Sequence, residues 1–159
     1  MSVMTNDMRN SGPTHRNPRS DARELALRML YQFEIGRQPK EEILSDALAQ
    51  SNMDHANKAF ATKLYNGVIS NLVAIDLALG PYTKEWTLNR QSAVDRNILR
   101  LAAYELMLAP KSKAPIICNE AVELAKKYSA QESGSFINGA LGALIRDRNK
   151  STSIEPAAN

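Results

Sequence analysis

Two carboxylates stand where a helical chain tolerates charge least. Glu105 lies in VDRNILRLAAYELML and Glu120 in NEAVELAKKY, each on or beside the apolar face of an amphipathic pattern. A buried ionised group is costly unless it is paired. Two such acids are the residue types of a general acid/base couple, but structural ion pairs perturb carboxylates in the same way. The structural reading is the stronger one. Each acid is then tied to an arginine, a backbone N–H or a helix end, with Arg96 and Arg100 as available partners. Asp76, beside Ile75, is a similar case.

Other catalytic arrangements are missing from the sequence. His15 and His55 fall in the N-terminal stretch and in a connector, without the spacing of a metal-ligand pair, and there is no H-E-x-x-H. Cys118 is the only cysteine, which precludes an internal disulfide and a thiolate metal cluster. The glycines of GSFINGALG lack the Lys-Ser/Thr of a phosphate loop and follow no strand. No catalytic residue, metal or cofactor is assigned.

Binding chemistry has better candidates. Arg16, Arg19 and Arg23 are spaced i, i+3 and i+7, so they share one helical face, and Arg9 and His15 precede them. A cationic arm of this kind neutralises phosphates and orders on binding. From charge alone a solvated polar tail is the stronger reading. Phe136 follows Glu132, Ser133, Gly134 and Ser135 at a helix start, where an aromatic can stack on an unpaired base. It also fits an apolar stripe, which favours a core role on sequence grounds. Tyr31 lies off the main stripe of its helix, as a boundary residue or an interface aromatic.

These residues need helices to position them. Residues 1–19 read as a flexible basic arm, with Gly12, Pro13 and Pro18 as breakers. Ser20 or Asp21 caps a first helix, whose stripe runs through Ala22, Leu25, Ala26, Met29, Leu30 and Phe33 to a stop at Gly36. Pro39 opens a shorter second helix, and Asp54 caps a long third one. That third pattern holds from Phe60 to Leu79, and Gly67 on its apolar face marks the close passage of another helix. Tyr82 to Arg90, with the only tryptophan, Trp86, reads as a short helix or an ordered loop. A helix from about Ser92, one from about Pro115 and a last one following Ser133 complete the chain, and residues 147–159 read as a frayed tail. No convincing strand or repeat appears, so the expected fold is an all-α bundle of about six to seven helices.

Composition agrees. A chain of 159 residues, 43% of them hydrophobic, makes one domain with a core of its own. A net charge of +3 permits nucleic-acid binding without establishing it. No apolar segment resembles a signal peptide or a membrane span, so the expected setting is cytoplasmic, without a membrane partner.

Five blocks then occur in order: ARELALRMLYQFE, FATKLYNGVISNLVAID, VDRNILRLAAYEL, NEAVELAKKY and SFINGAL. Over residues 20–146 the sequence closely resembles the transcription antitermination factors of the NusB family. The resemblance implies an all-helical, non-enzymatic domain of two packed subdomains. It implies binding of boxA-type RNA together with the small-subunit ribosomal protein NusE, in complexes with RNA polymerase and other Nus factors, notably at ribosomal RNA operons. Carried over by position, RNA binding falls on Arg16, Arg19, Arg23, Glu132, Ser135 and Phe136, and partner binding on Tyr31 and Asp95. Self-association as a homodimer through the partner surface is a further implication. Two departures remove positive charge: the arginines are spread and interrupted by Pro18, and Ser135 stands where a lysine is often found.

Two alternatives accompany this reading. One is a helical interaction module without an RNA role. The other is the front domain of a ribosomal RNA cytosine methyltransferase, which needs a following Rossmann-type domain that this chain ends before.

Overall fold

A computed structural model describes residues 17–84, Trp86 and residues 91–154, the last four by backbone alone. Among them are seven α-helices and no strand: α1 (Pro18–Ile35), α2 (Lys40–Gln50), α3 (His55–Ser70), α4 (Leu72–Leu79), α5 (Ala93–Leu108), α6 (Ala114–Tyr128) and α7 (Gln131–Ile154). Short 3-10 turns at Gly80–Tyr82 and Lys111–Lys113 precede α5 and α6. In the N-terminal half α1 packs on α3 and α2. In the C-terminal half α6 packs between α5 and α7, and α5 also lies against α1 and α4, joining the halves. One continuous apolar cluster runs through both, from Leu27, Leu30 and Leu64 to Ile98, Leu124 and Leu141.

The helix starts follow local chemistry. Asp54 accepts the Asn57 N–H at 2.8 Å, and Ser92 accepts that of Asp95 at 3.1 Å. The first helix starts earlier than its sequence suggests. Asn17, not Ser20 or Asp21, is its cap, accepting from Arg19 N–H at 2.9 Å, and Pro18 occupies the first turn. Proline has no N–H to lose there and its fixed φ suits a helix, so Pro18 opens α1 instead of breaking it. Residues 1–16 of the expected arm, Arg16 included, lie outside the described residues.

The long third helix is in fact two. Asn71 adopts φ −117° and ψ 22°, and its side-chain N–H donates to the Gly67 carbonyl at 2.8 Å. An asparagine that bonds its own backbone competes with the helical ladder. The apolar period survives the break, because Ile75 and Leu79 on α4 still reach the core. Gly67 is, as its position suggested, a point of close passage: a Cβ there would lie 2.0 Å from the Tyr104 ring.

The last helix also differs from expectation. It begins at Gln131, before Ser133, and continues past residue 146 to Ile154. The Tyr82 hydroxyl donates to Asp147 at 2.7 Å, and Arg148 reaches the Ala109 carbonyl at 3.5 Å. These ties anchor a stretch that its polar composition marks as frayed. Among the described residues no helix is long and apolar enough to cross a membrane.

Candidate nucleic-acid and partner interface

The paired carboxylates are structural, but with other partners than α5 offers. Arg23 of α1 donates to Glu105 from Nε at 2.8 Å and from Nη2 at 2.5 Å, and its Nη1 lies 3.5 Å from Glu120. Ser20 donates to Glu120 at 2.5 Å. Burial works against the Arg23 charge, but the hydrogen bonds and field of Glu105, then the field of Glu120, outweigh it, and its pKa is raised. Arg96 and Arg100 are turned elsewhere. Five residues on a helix amount to about 140° of rotation, so Arg100 and Glu105 cannot share a face. Arg96 pairs with Glu34, while Arg100 bridges Glu34 and Asp76, each at 2.8 Å.

Arg23 is therefore committed to a buried pair, with 8% of its surface exposed. Arg19, exposed at the start of α1, stacks over Phe60 of α3, its guanidinium carbon 4.2 Å from the ring centroid.

Four of the other expected residues meet in one groove. Tyr31 of α1, Asp95 of α5, and Glu132 and Phe136 of α7 line a cleft of about 860 Å³, together with Ile35, Trp86, Val94 and Tyr128. Its walls are mainly apolar and aromatic, and among the described residues its charged lining consists of the acids Asp95 and Glu132. Phe136 is half-buried, with the Trp86 ring 5.8 Å away and tilted by 43°. Asp95 is 3% exposed. Its two oxygens accept from Ser129 at 2.5 Å and Ser133 at 2.8 Å, clamping the α6–α7 junction to the start of α5. That clamp fixes the first turn of α7, on which Glu132 and Phe136 stand.

Residues 20–146, which include all of these groove residues, match the NusB family. This chain belongs to that family. A NusB protein of Acetivibrio thermocellus is 40% identical over 128 residues, covering 80% of this chain and 88% of that protein. A solved NusB of T. maritima superposes with a TM-score of 0.74 at 36% identity, over 83% of this chain and 93% of that one. The NusB chain of a crystal structure of NusB and NusE with double-stranded RNA gives a TM-score of 0.74 at 25% identity, over 82% and 97%. The all-helical fold of two packed halves is thus a NusB fold.

Within that fold Ser135 is exposed on the other side of the α7 start. It lines a more polar depression with Asn119, Lys126, Gln131 and Asn138. Several groove residues escaped the sequence, three of them large side chains. Trp86 sits in a stretch without periodicity, Ile35 lies at the helix end, and Tyr128 falls on an inward stripe. Tyr128 is indeed nearly buried, its hydroxyl donating to Glu24 of α1. The signal available for Trp86 was its uniqueness: a large apolar ring in a polar connector, here 47% exposed. Among the described residues no group of three or more His, Cys, Asp or Glu is placed to hold a metal ion. Burial pushes the Cys118 thiol up, away from the reactive thiolate form.

Proposed function

We propose that this protein is a transcription antitermination factor that binds boxA-type RNA together with a NusE-type small-subunit ribosomal protein. Through that complex it joins RNA polymerase and other Nus factors at ribosomal RNA operons. The observation that carries the reading is the convergence of Tyr31, Asp95, Glu132 and Phe136 on one groove, within the span matched to the family. A NusB relative solved with both NusE and double-stranded RNA supports both classes of partner.

The groove's chemistry divides the work. An apolar, aromatic floor with two acids suits a protein carrying apolar anchors and basic side chains. We assign the ribosomal protein to it, with Tyr31 in contact and Asp95 acting as the clamp that shapes the docking surface. RNA phosphates avoid these acids, so we place the backbone outside the floor, with Glu132, Ser135 and Phe136 meeting bases at the rim and Arg19 and Arg16 meeting phosphates. Arg23 serves this surface indirectly, by fixing the start of α1 against α5 and α6. A second copy of the chain on the same groove would compete with the ribosomal protein. The activity is binding, with no chemical step.

The test is a boxA titration with and without the ribosomal protein across a salt series. Affinity rises with the partner and falls with salt, the log–log slope being about −0.7 per phosphate neutralised. Phe136→Ala weakens RNA binding by about 1–3 kcal/mol if its ring stacks on a base. Capture of the ribosomal protein without any boxA binding leaves a protein-interaction module instead.

A further inference from the structure

The outer face of α1 carries a cation that no role above accounts for. Arg28 is half-buried, and its Nε is shielded from solvent without a hydrogen-bond partner. The natural counter-ion is Glu24, four residues earlier in the orientation that favours an i,i+4 pair. Glu24 is taken from the other side: Lys127 of α6 donates to it at 2.7 Å and the Tyr128 hydroxyl also donates to it. Among the described residues no carboxylate pairs with Arg28.

Its direction matters as much as its charge. Arg28 follows Arg23 by five residues, about 140° around the helix, so it points away from the Arg23–Glu105–Glu120 cluster and the Phe60 side. It shares its stripe with Glu24, Tyr31 and Ile35, spaced 24, 28, 31 and 35. Tyr31 and Ile35 line the aromatic groove. Arg28 thus stands one turn before the groove, about 13 Å along the axis from Arg19 and on the opposite face of the helix from it.

We propose that Arg28 is an RNA phosphate contact, holding the strand on the outer face of α1 one turn before the groove that Tyr31 and Phe136 line. This rests on the RNA-binding reading above. Arg28 offers a positive charge on this surface where Arg23 is neutralised and Ser135 carries none. A half-buried guanidinium without a carboxylate partner among the described residues can take an anionic oxygen from solvent, and a phosphodiester supplies one without a base preference.

The experiment is the salt series on the complex of full chain, ribosomal protein and boxA RNA, comparing wild type with Arg28→Gln, Arg28→Lys and Arg146→Gln. Arg146 is exposed on α7, ten residues beyond Phe136. Arg28→Gln should reduce the log–log slope by about 0.7 and weaken boxA and scrambled RNA by the same factor. Arg28→Lys should keep the wild-type slope, and Arg146→Gln should leave it unchanged. An unchanged slope in Arg28→Gln overturns the assignment, whether the variant is otherwise normal, less stable or poorer at capturing the ribosomal protein. A wild-type complex that fails to bind RNA at low salt overturns the RNA-binding reading itself, and this assignment with it.

Discussion

Arg23 shows how a residue type can be right and its role different. Its spacing with Arg16 and Arg19 marks a cationic face, yet the side chain neutralises two buried acids. Removing one partner of a buried pair strands the other charge, which typically costs about 3–5 kcal/mol. Arg23→Met should therefore lower the unfolding free energy by that much, read as a lower urea midpoint at unchanged m-value. Arg23→Met combined with Glu105→Leu should recover a large part of the loss, since the more buried acid is then gone and Glu120 keeps its hydrogen bond from Ser20. If Arg23 instead faced solvent, the single variant would cost well under 1 kcal/mol. That Glu105 and Glu120 need partners was legible in the sequence, because charge on an apolar face admits few solutions. Which arginine supplies them was not. The pairing joins residues 82 positions apart, and only the packing of α1 on α5 decides it.

Among the elements, α3 and α7 carry glycines with opposite meanings. Both interrupt helix propensity, and replacing a helical glycine by alanine gains about 0.5–1 kcal/mol where nothing is in the way. At Gly139 nothing lies within 4 Å of an added Cβ, so Gly139→Ala should stabilise by that amount. At Gly67 the Tyr104 ring occupies the space, and overpacking of this kind costs about 1–3 kcal/mol. The cost exceeds the propensity gain, so thermal melting should show Gly67→Ala lowered and Gly139→Ala raised. A Gly67→Ala variant that melts as high as Gly139→Ala would place the contact elsewhere. Gly67's close approach was legible from its place on an apolar stripe. The break four residues later was not, because periodicity reports which face is buried and Asn71 interrupts the hydrogen bonds while preserving the face. Of the groove, Tyr31 and Phe136 were named from the sequence for different partners. That they share one cleft depends on the Asp95 clamp, whose two serines lie 34 and 38 residues away in the chain.

At the scale of the whole molecule, a charged network holds the halves together. Glu34 of α1 meets Arg96 and Arg100 of α5, and Arg100 in turn holds Asp76 of α4. Burial would raise the Glu34 carboxyl, but hydrogen bonds and fields from Arg96, then Arg100 and Asn97, hold it below its ordinary value of 4.5. The folded state thus prefers the charged form. Its contribution is full above the unfolded pKa and drains away as pH falls through the lower folded value. Melting temperature should therefore decline from about pH 5 downward, and Glu34→Gln should be less stable at neutral pH with a flatter acid limb. An acid limb of unchanged steepness in Glu34→Gln would assign that decline to other carboxylates.

The groove draws one wall from Tyr31 and Ile35 and the other from Glu132 and Phe136. These residues leave the ribosome about a hundred codons apart, since Ile35 and Phe136 bracket most of the polypeptide. The groove cannot exist on a nascent fragment, however well its first helices fold. The groove is therefore completed late in synthesis, only once α7 has followed the six helices before it.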